Sequence, residues 1–173
     1  MGLREALVSI NEVKNEGIIQ DYAIIGGYAV IYHAVPYSSY DLDIGIIVKD
    51  DDSYHKLYEY YRKKGNKIEN VYIHIGGMPV QFFPNINILY NEVVKRALKV
   101  TVANIPTKVA TIEHLIVLAL DAYRAKDKIR ILQLLEKADK KLLEDIITRF
   151  DDKEGRLRAR YKEILANSRE SEA

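Results

Sequence analysis

One stretch constrains this chain more than any other: Gly26–Val48, "GGYAVIYHAVPYSSYDLDIGIIV". A short apolar run, Tyr22–Ile25, leads into Gly26-Gly27, which reads as a buried strand entering a tight turn. Tyr28–Val35 then has helical character, and Pro36 ends it. Asp41 and Asp43 next open a run of isoleucine and valine with the composition of a buried strand. Residues i and i+2 of a strand share a face, so the two carboxylates project together while Leu42 and Ile44 face the other way. Two carboxylates held that close repel unless a proton or a cation lies between them.

A hard divalent cation takes oxygen ligands and is commonly held by one or two carboxylates together with substrate phosphates. The upstream glycines supply the complement. A Gly-Gly turn lets backbone approach a phosphate, and the helix that follows offers free N–H donors at its positive end. Phosphate donors on one strand–turn–helix, and a metal-holding pair on the next strand, describe a site for a nucleoside triphosphate.

The rest of the chain supplies a scaffold for this pair. Leu3, Ala6, Leu7, Ile10 and Val13 recur at helical spacing, and Gly17 stops that first helix. After the aspartate strand, a helix carries Tyr54, Leu57, Tyr58 and Tyr61 on one face, packed on the sheet, and Gly65 ends it. Val71–Ile75 and Pro79–Phe83 read as a hairpin closed by Gly76-Gly77. Ile88–Leu98 follows as a helix, and Lys99–Ile105 as a strand ending at Pro106. From Thr107 the signal is helical throughout: Thr111 caps the first helix, Lys126 or Asp127 breaks before the second, and Asp139 before the third. Asp151–Glu154 precedes a basic last helix, and "NSRESEA" reads as a polar tail. The expected division is therefore 1–106, an α/β domain, and 107–173, a helical region.

Composition excludes some chemistries. The chain has no cysteine, so disulfides, thiolate metal sites and cysteine nucleophiles are ruled out. Its 26 basic and 25 acidic residues leave a formal net charge of +1, which gives no global attraction to nucleic acid or acidic membranes. No apolar run approaches membrane-spanning length, and the first residues lack the apolar core of a signal peptide, so the expected setting is cytoplasmic. The histidines do not fall at metal-ligand spacing. His33 and His114 read as packed or hydrogen-bonded residues, and His55 as exposed. Arg156, Arg158, Arg160 and Lys162 read as a solvated helix.

These residues resemble the nucleotidyltransferase superfamily of the DNA polymerase β type, in particular its branch of minimal nucleotidyltransferases and abortive-infection toxin components. Gly26-Gly27 match that family's turn, and Asp41 and Asp43 its metal-binding pair. "MPVQFFP" is similar to its later strand, and "TIEHLIVLALDAYRAKDKIRILQLL" to its helical segment. The resemblance covers roughly residues 20 to 135. It implies an α/β (α+β) fold, a mixed sheet flanked by helices and followed by a C-terminal helical bundle.

By the same resemblance, Asp41 and Asp43 are catalytic and hold Mg²⁺ or Mn²⁺, and Gly26, Gly27 and Ser39 contact the nucleotide. Arg124, Lys126 and Asp127 contribute to nucleotide binding from the helical segment. The implied partners are an NTP (ATP or GTP), an RNA or protein acceptor and an antitoxin-like protein, with no membrane. The chain departs from the pattern in three places. Tyr37 stands where the family has arginine, Ala119 where relatives often carry lysine, and Gln81 at the third-carboxylate position. A glutamine carbonyl can ligate a hard cation but brings no charge and is a poor base. Gln81 therefore points to metal and nucleotide binding that outlasts efficient transfer.

Overall fold

Seven strands form one mixed sheet in the order β3-β4-β5-β2-β1-β7-β6. The computed structural model describes residues 2–34 and 38–170. In chain order the elements are α1 (Gly2–Asn15), β1 (Asp21–Ile25), α2 (Gly26–His33), β2 (Leu42–Ile47), α3 (Asp51–Lys63), β3 (Ile68–Glu69), β4 (Tyr72–Ile75) and β5 (Met78–Pro84). They continue as α4 (Ile88–Arg96), β6 (Leu98–Val102), β7 (Ile105–Val109), α5 (Ile112–Ala122), α6 (Ala125–Leu135), α7 (Lys140–Phe150) and α8 (Arg156–Glu170). The described chain divides into two compact units: residues 2–29 with 38–110, and residues 30–34 with 111–170.

The first unit holds the sheet. β1 runs antiparallel to β2, with Ile25 opposite Asp43, and β2 runs parallel to β5, with Asp43 opposite Gln81. Alternation sends Leu42, Ile44 and Ile46 to one face with Tyr22, Val80, Phe82 and Ile73, all of them buried. The buried stripe of α1 (Ala6, Leu7, Ile10, Val13) and Leu57 and Tyr61 of α3 complete this core. Tyr61 stacks on Phe82 at a centroid distance of 6.0 Å, while Tyr54 donates to the Phe82 carbonyl at 3.3 Å. On the opposite face α4 covers only part of the sheet. Val94 packs with Ala23 and Ile47, and a Cβ on Gly45 would lie 3.2 Å from Val94 Cγ2.

Several elements differ from the sequence expectation, each for a local reason. A single strand ending at Pro106 is instead the hairpin β6–β7, turned by Ala103 (φ 49°) and Asn104 (φ 61°). This two-residue turn with both φ positive makes Val102 and Ile105 a hydrogen-bonded pair, so the next pair, Thr101 and Pro106, is not hydrogen-bonded. Proline therefore loses no ladder bond there, and its carbonyl accepts from Asn11 Nδ2 at 2.9 Å. The two-residue strand β3 was not expected, and it pairs Glu69 with Tyr72.

The second unit packs α5 with α6, α7 and α8. Thr111 caps α5, as the sequence suggests, and Asp139, expected as the break before the third helix, is the N-cap of α7. The α5–α6 break falls earlier than Lys126: Tyr123 adopts φ 51°, Arg124 is the N-cap, and Asp127 lies inside α6. α8 continues to Glu170, so the first residues of the expected tail are helical. Pro36 and Tyr37 lie outside the described residues.

Candidate functional site

The carboxylate pair sits where β1 ends and β2 begins, on the sheet face that α4 leaves partly open. Ile25 is the last residue of β1 and is paired with Asp43, so the chain turns at Gly26 directly beside that carboxylate. Gly26 has φ 61°, a left-handed conformation that favours glycine. A Cβ there would lie 2.8 Å from both Cβ and Cγ of Asp43 and would overlap its Oδ2. The glycine is thus required twice, by its backbone and by the carboxylate seated against it. α2 starts at this glycine, with buried Gly27 next and no acidic residue in its first turn. The first N–H groups of α2 therefore lie beside the carboxylate pair.

Asp41, one residue before β2, is braced twice. Ser39 Oγ donates to its backbone carbonyl at 3.1 Å, and Tyr72 Oη donates to its Oδ2 at 3.3 Å. Burial, followed by the negative charges of Asp41 and Asp43, pushes the Tyr72 phenol above its ordinary pKa, which keeps it a donor. Ladder register then builds a row across four strands: Asp43 opposite Gln81, Gln81 opposite Tyr72, and Tyr72 opposite Glu69. Glu69 ends the row in contact with Lys67 Nζ at 2.9 Å and His74 Nε2 at 3.5 Å.

This donor set has a definite chemistry. Two half-buried carboxylates and one amide in register offer oxygen ligands to a hard divalent ion, with phosphate oxygens and water completing its shell. Among the described residues no group of three or more His, Asp or Glu side chains is placed to hold a metal.

Gly26, Gly27, Ser39, Asp41, Asp43 and Gln81 come together in the first unit. Arg124, Lys126 and Asp127 belong to the second. There Asp127 is 2% exposed and accepts from Arg124 Nε at 2.7 Å, with Arg130 at 3.5 Å, while Lys126 is exposed. Ala119 is buried in α5. Tyr72 was not singled out as a site residue from the sequence. The signal was available: a two-residue turn at Gly76-Gly77 pairs Ile75 with Met78, and counting back places Tyr72 opposite Gln81.

No family model and no curated protein sequence matches the chain. Solved structures do. An antigenic nucleotidyltransferase-like protein from Paracoccidioides brasiliensis superposes with a TM-score of 0.56 at 14% identity, covering 91% of this chain and 93% of that one. The solution structure of the antibiotic-resistance factor ANT(2'')-Ia matches with a TM-score of 0.56 at 14% identity, over 98% of this chain and all of its own. This chain has the nucleotidyltransferase fold. A crystal structure of ANT(2'')-Ia in complex with adenylyl-2''-tobramycin gives a TM-score of 0.55 at 15% identity, over 92% and 99% of the two chains. Within the nucleotidyltransferase fold, the strand–turn–helix at Gly26 and the aspartates opening β2 are the features described above. Among the described residues no helix is long and apolar enough to cross a membrane.

Proposed function

We propose that the chain is a divalent-metal-dependent nucleotidyltransferase that moves a nucleotide from ATP or GTP to an acceptor hydroxyl. The observation that carries this reading is the seating of Gly26 against the Asp43 carboxylate. It brings the start of α2, with its free N–H donors, to the carboxylates, so phosphate and cation can be bound together. Bound Mg²⁺ or Mn²⁺ would be held by Asp41 and Asp43 and would neutralise charge on the triphosphate. Gly26 and Gly27 would approach the phosphates, Ser39 and Tyr72 would fix Asp41, and the amide of Gln81 would face the same space. In the transfer, the acceptor hydroxyl would release its proton to solvent, its oxygen would bond to the α-phosphorus, and the bond from the α-phosphorus to the bridging oxygen would break, so that oxygen leaves with pyrophosphate.

The acceptor follows the same chemistry. ANT(2'')-Ia is crystallised with an adenylylated small molecule, which is consistent with a hydroxyl acceptor here. We extend the proposal to a hydroxyl on RNA or protein. The antitoxin-like partner has no structural support and forms no part of it. Arg124, Lys126 and Asp127 remain proposed contributors to nucleotide binding, of which exposed Lys126 is the most available to a phosphate.

The test is equilibrium binding of ATP and GTP with and without Mg²⁺. Metal-dependent binding by the native chain, lost in Asp41→Asn/Asp43→Asn, is the expected result; equal binding by both proteins removes the site. One observation favours slow turnover: Gln81, not a carboxylate, stands in register with Asp43. Gln81→Glu is therefore expected to raise transfer of labelled nucleotide to an acceptor while leaving binding in place. No increase would show that this position does not limit transfer.

A further inference from the structure

The last strand of the sheet ends in an unpaired edge with an unusual property. Among the described residues β6 is terminal in the strand order and pairs only with β7. Val102 and Ile105 form the hydrogen-bonded pair that closes the turn, so Val100 and Leu98 also bond inward, while Lys99 and Thr101 direct their N–H and C=O groups outward. Both residues are exposed, and among the described residues the main chain of neither has a hydrogen-bond partner.

Edge strands are usually guarded by shortness, by charged residues such as lysine, by an outward proline or by a bulge. Here the proline, Pro106, sits on the inner strand, the β6–β7 register runs unbroken from Leu98 to Val102, and the one lysine is off centre. We infer that β6 is a self-association edge, pairing antiparallel with β6 of a second copy about a two-fold axis at Val100. The inference is independent of the nucleotidyl-transfer reading.

In that register Lys99 lies opposite Thr101 of the second copy, and the outward groups of these two residues meet as hydrogen-bonded pairs. Four main-chain bonds form across the seam. Lysine never faces lysine, Leu98 lies opposite Val102, and Val100 meets its own equivalent. A register shifted by two residues in one direction would instead set Lys99 against Lys99, with like charges opposed. α1 packs over β7, and an open groove of about 540 Å³ lies between it and β6, lined by Asn11, Tyr22, Val100 and Thr107 among others. On the face that α1 covers, the seam therefore meets no helix among the described residues. An isologous contact of this kind closes on itself and yields dimers, not fibres.

The test is sedimentation of the full chain over a concentration series, with circular dichroism to check folding. The native chain is expected to show a monomer–dimer equilibrium. Thr101→Glu places a carboxylate opposite Lys99 of the second copy and is expected to tighten the dimer on the order of tenfold, whereas Thr101→Lys weakens it by a similar factor. Thr101→Pro removes an outward N–H that the protomer does not use, and it should abolish the dimer. A chain monomeric at every concentration overturns the inference, as does a dimer that Thr101→Glu and Thr101→Lys shift alike. Dimerisation unchanged by Thr101→Pro in a folded protein also overturns it. Should the proline variant fail to fold, the Glu and Lys pair still decides.

Discussion

Gly26 and Asp21 occupy opposite ends of β1, and each carries a distinct expectation. Gly26→Ala must hold a side chain at φ 61° and displace the Asp43 carboxylate. The left-handed conformation alone costs about 1–2 kcal/mol for such a residue, and the overlap adds to it. The variant is expected to show a clearly lowered urea midpoint and to lose metal-dependent nucleotide binding. Asp21 is governed by charge. Burial pushes its carboxyl pKa upward, but hydrogen bonds from Lys108 (2.6 Å) and Lys14 (2.8 Å) outweigh this and hold it below the ordinary value. A depressed native pKa stabilises the fold above the unfolded value, and that contribution is lost as pH falls through the native one. Asp21→Asn should therefore be less stable than the native chain at pH 7. The gap should begin to close below about pH 3.9 and vanish beneath the depressed native value, as denaturation at a series of pH values would show.

The β6–β7 hairpin shows how an element can be stable and still poorly signalled. Its turn puts Ala103 at φ 49°, a conformation that costs alanine about 1 kcal/mol or more and glycine almost nothing. Ala103→Gly is expected to raise the thermal midpoint; an unchanged or lower midpoint would mean that the turn is not held in this geometry. The absent glycine is also why the hairpin reads as one strand, whereas Gly76-Gly77 makes the β4–β5 hairpin legible. The α5–α6 break is hidden for the same reason. Tyr123 takes a left-handed conformation usually given to glycine, flanked by Lys128 Nζ at 4.3 Å and the Arg160 guanidinium at 4.8 Å from its ring centre. Caps with local chemistry, Thr111 and Asp139, were readable from neighbouring residues. Within the candidate site, alternation alone placed Asp41 and Asp43 on one face. The Tyr72 hydroxyl on Asp41 depends on register across β2, β5 and β4, which only the assembled sheet displays.

At the scale of the whole molecule, ligand binding and stability are linked. If the carboxylate site binds Mg²⁺ and ATP, a ligand concentration about 100 times the dissociation constant stabilises the native chain by about 2.7 kcal/mol. Thermal unfolding should move up accordingly, and Asp41→Asn/Asp43→Asn should not follow. An equal rise in both proteins would place binding elsewhere. The formal net charge of +1 adds a second consequence. If the acceptor is an RNA, long-range steering is weak for so balanced a chain, so its association rate should depend less on ionic strength than that of a basic protein.

The contact between Gly26 and Asp43 also restricts the order in which this chain can change. While residue 43 keeps its aspartate side chain, any residue but glycine at position 26 carries a double cost, a left-handed backbone and the displacement of that side chain. Shortening residue 43 to alanine removes only part of that cost, because its Cβ also lies 2.8 Å from a Cβ placed at residue 26. Any descendant that still carries the aspartate is thereby biased towards the glycine, so the turn at residue 26 is expected to persist for as long as the aspartate beside it does.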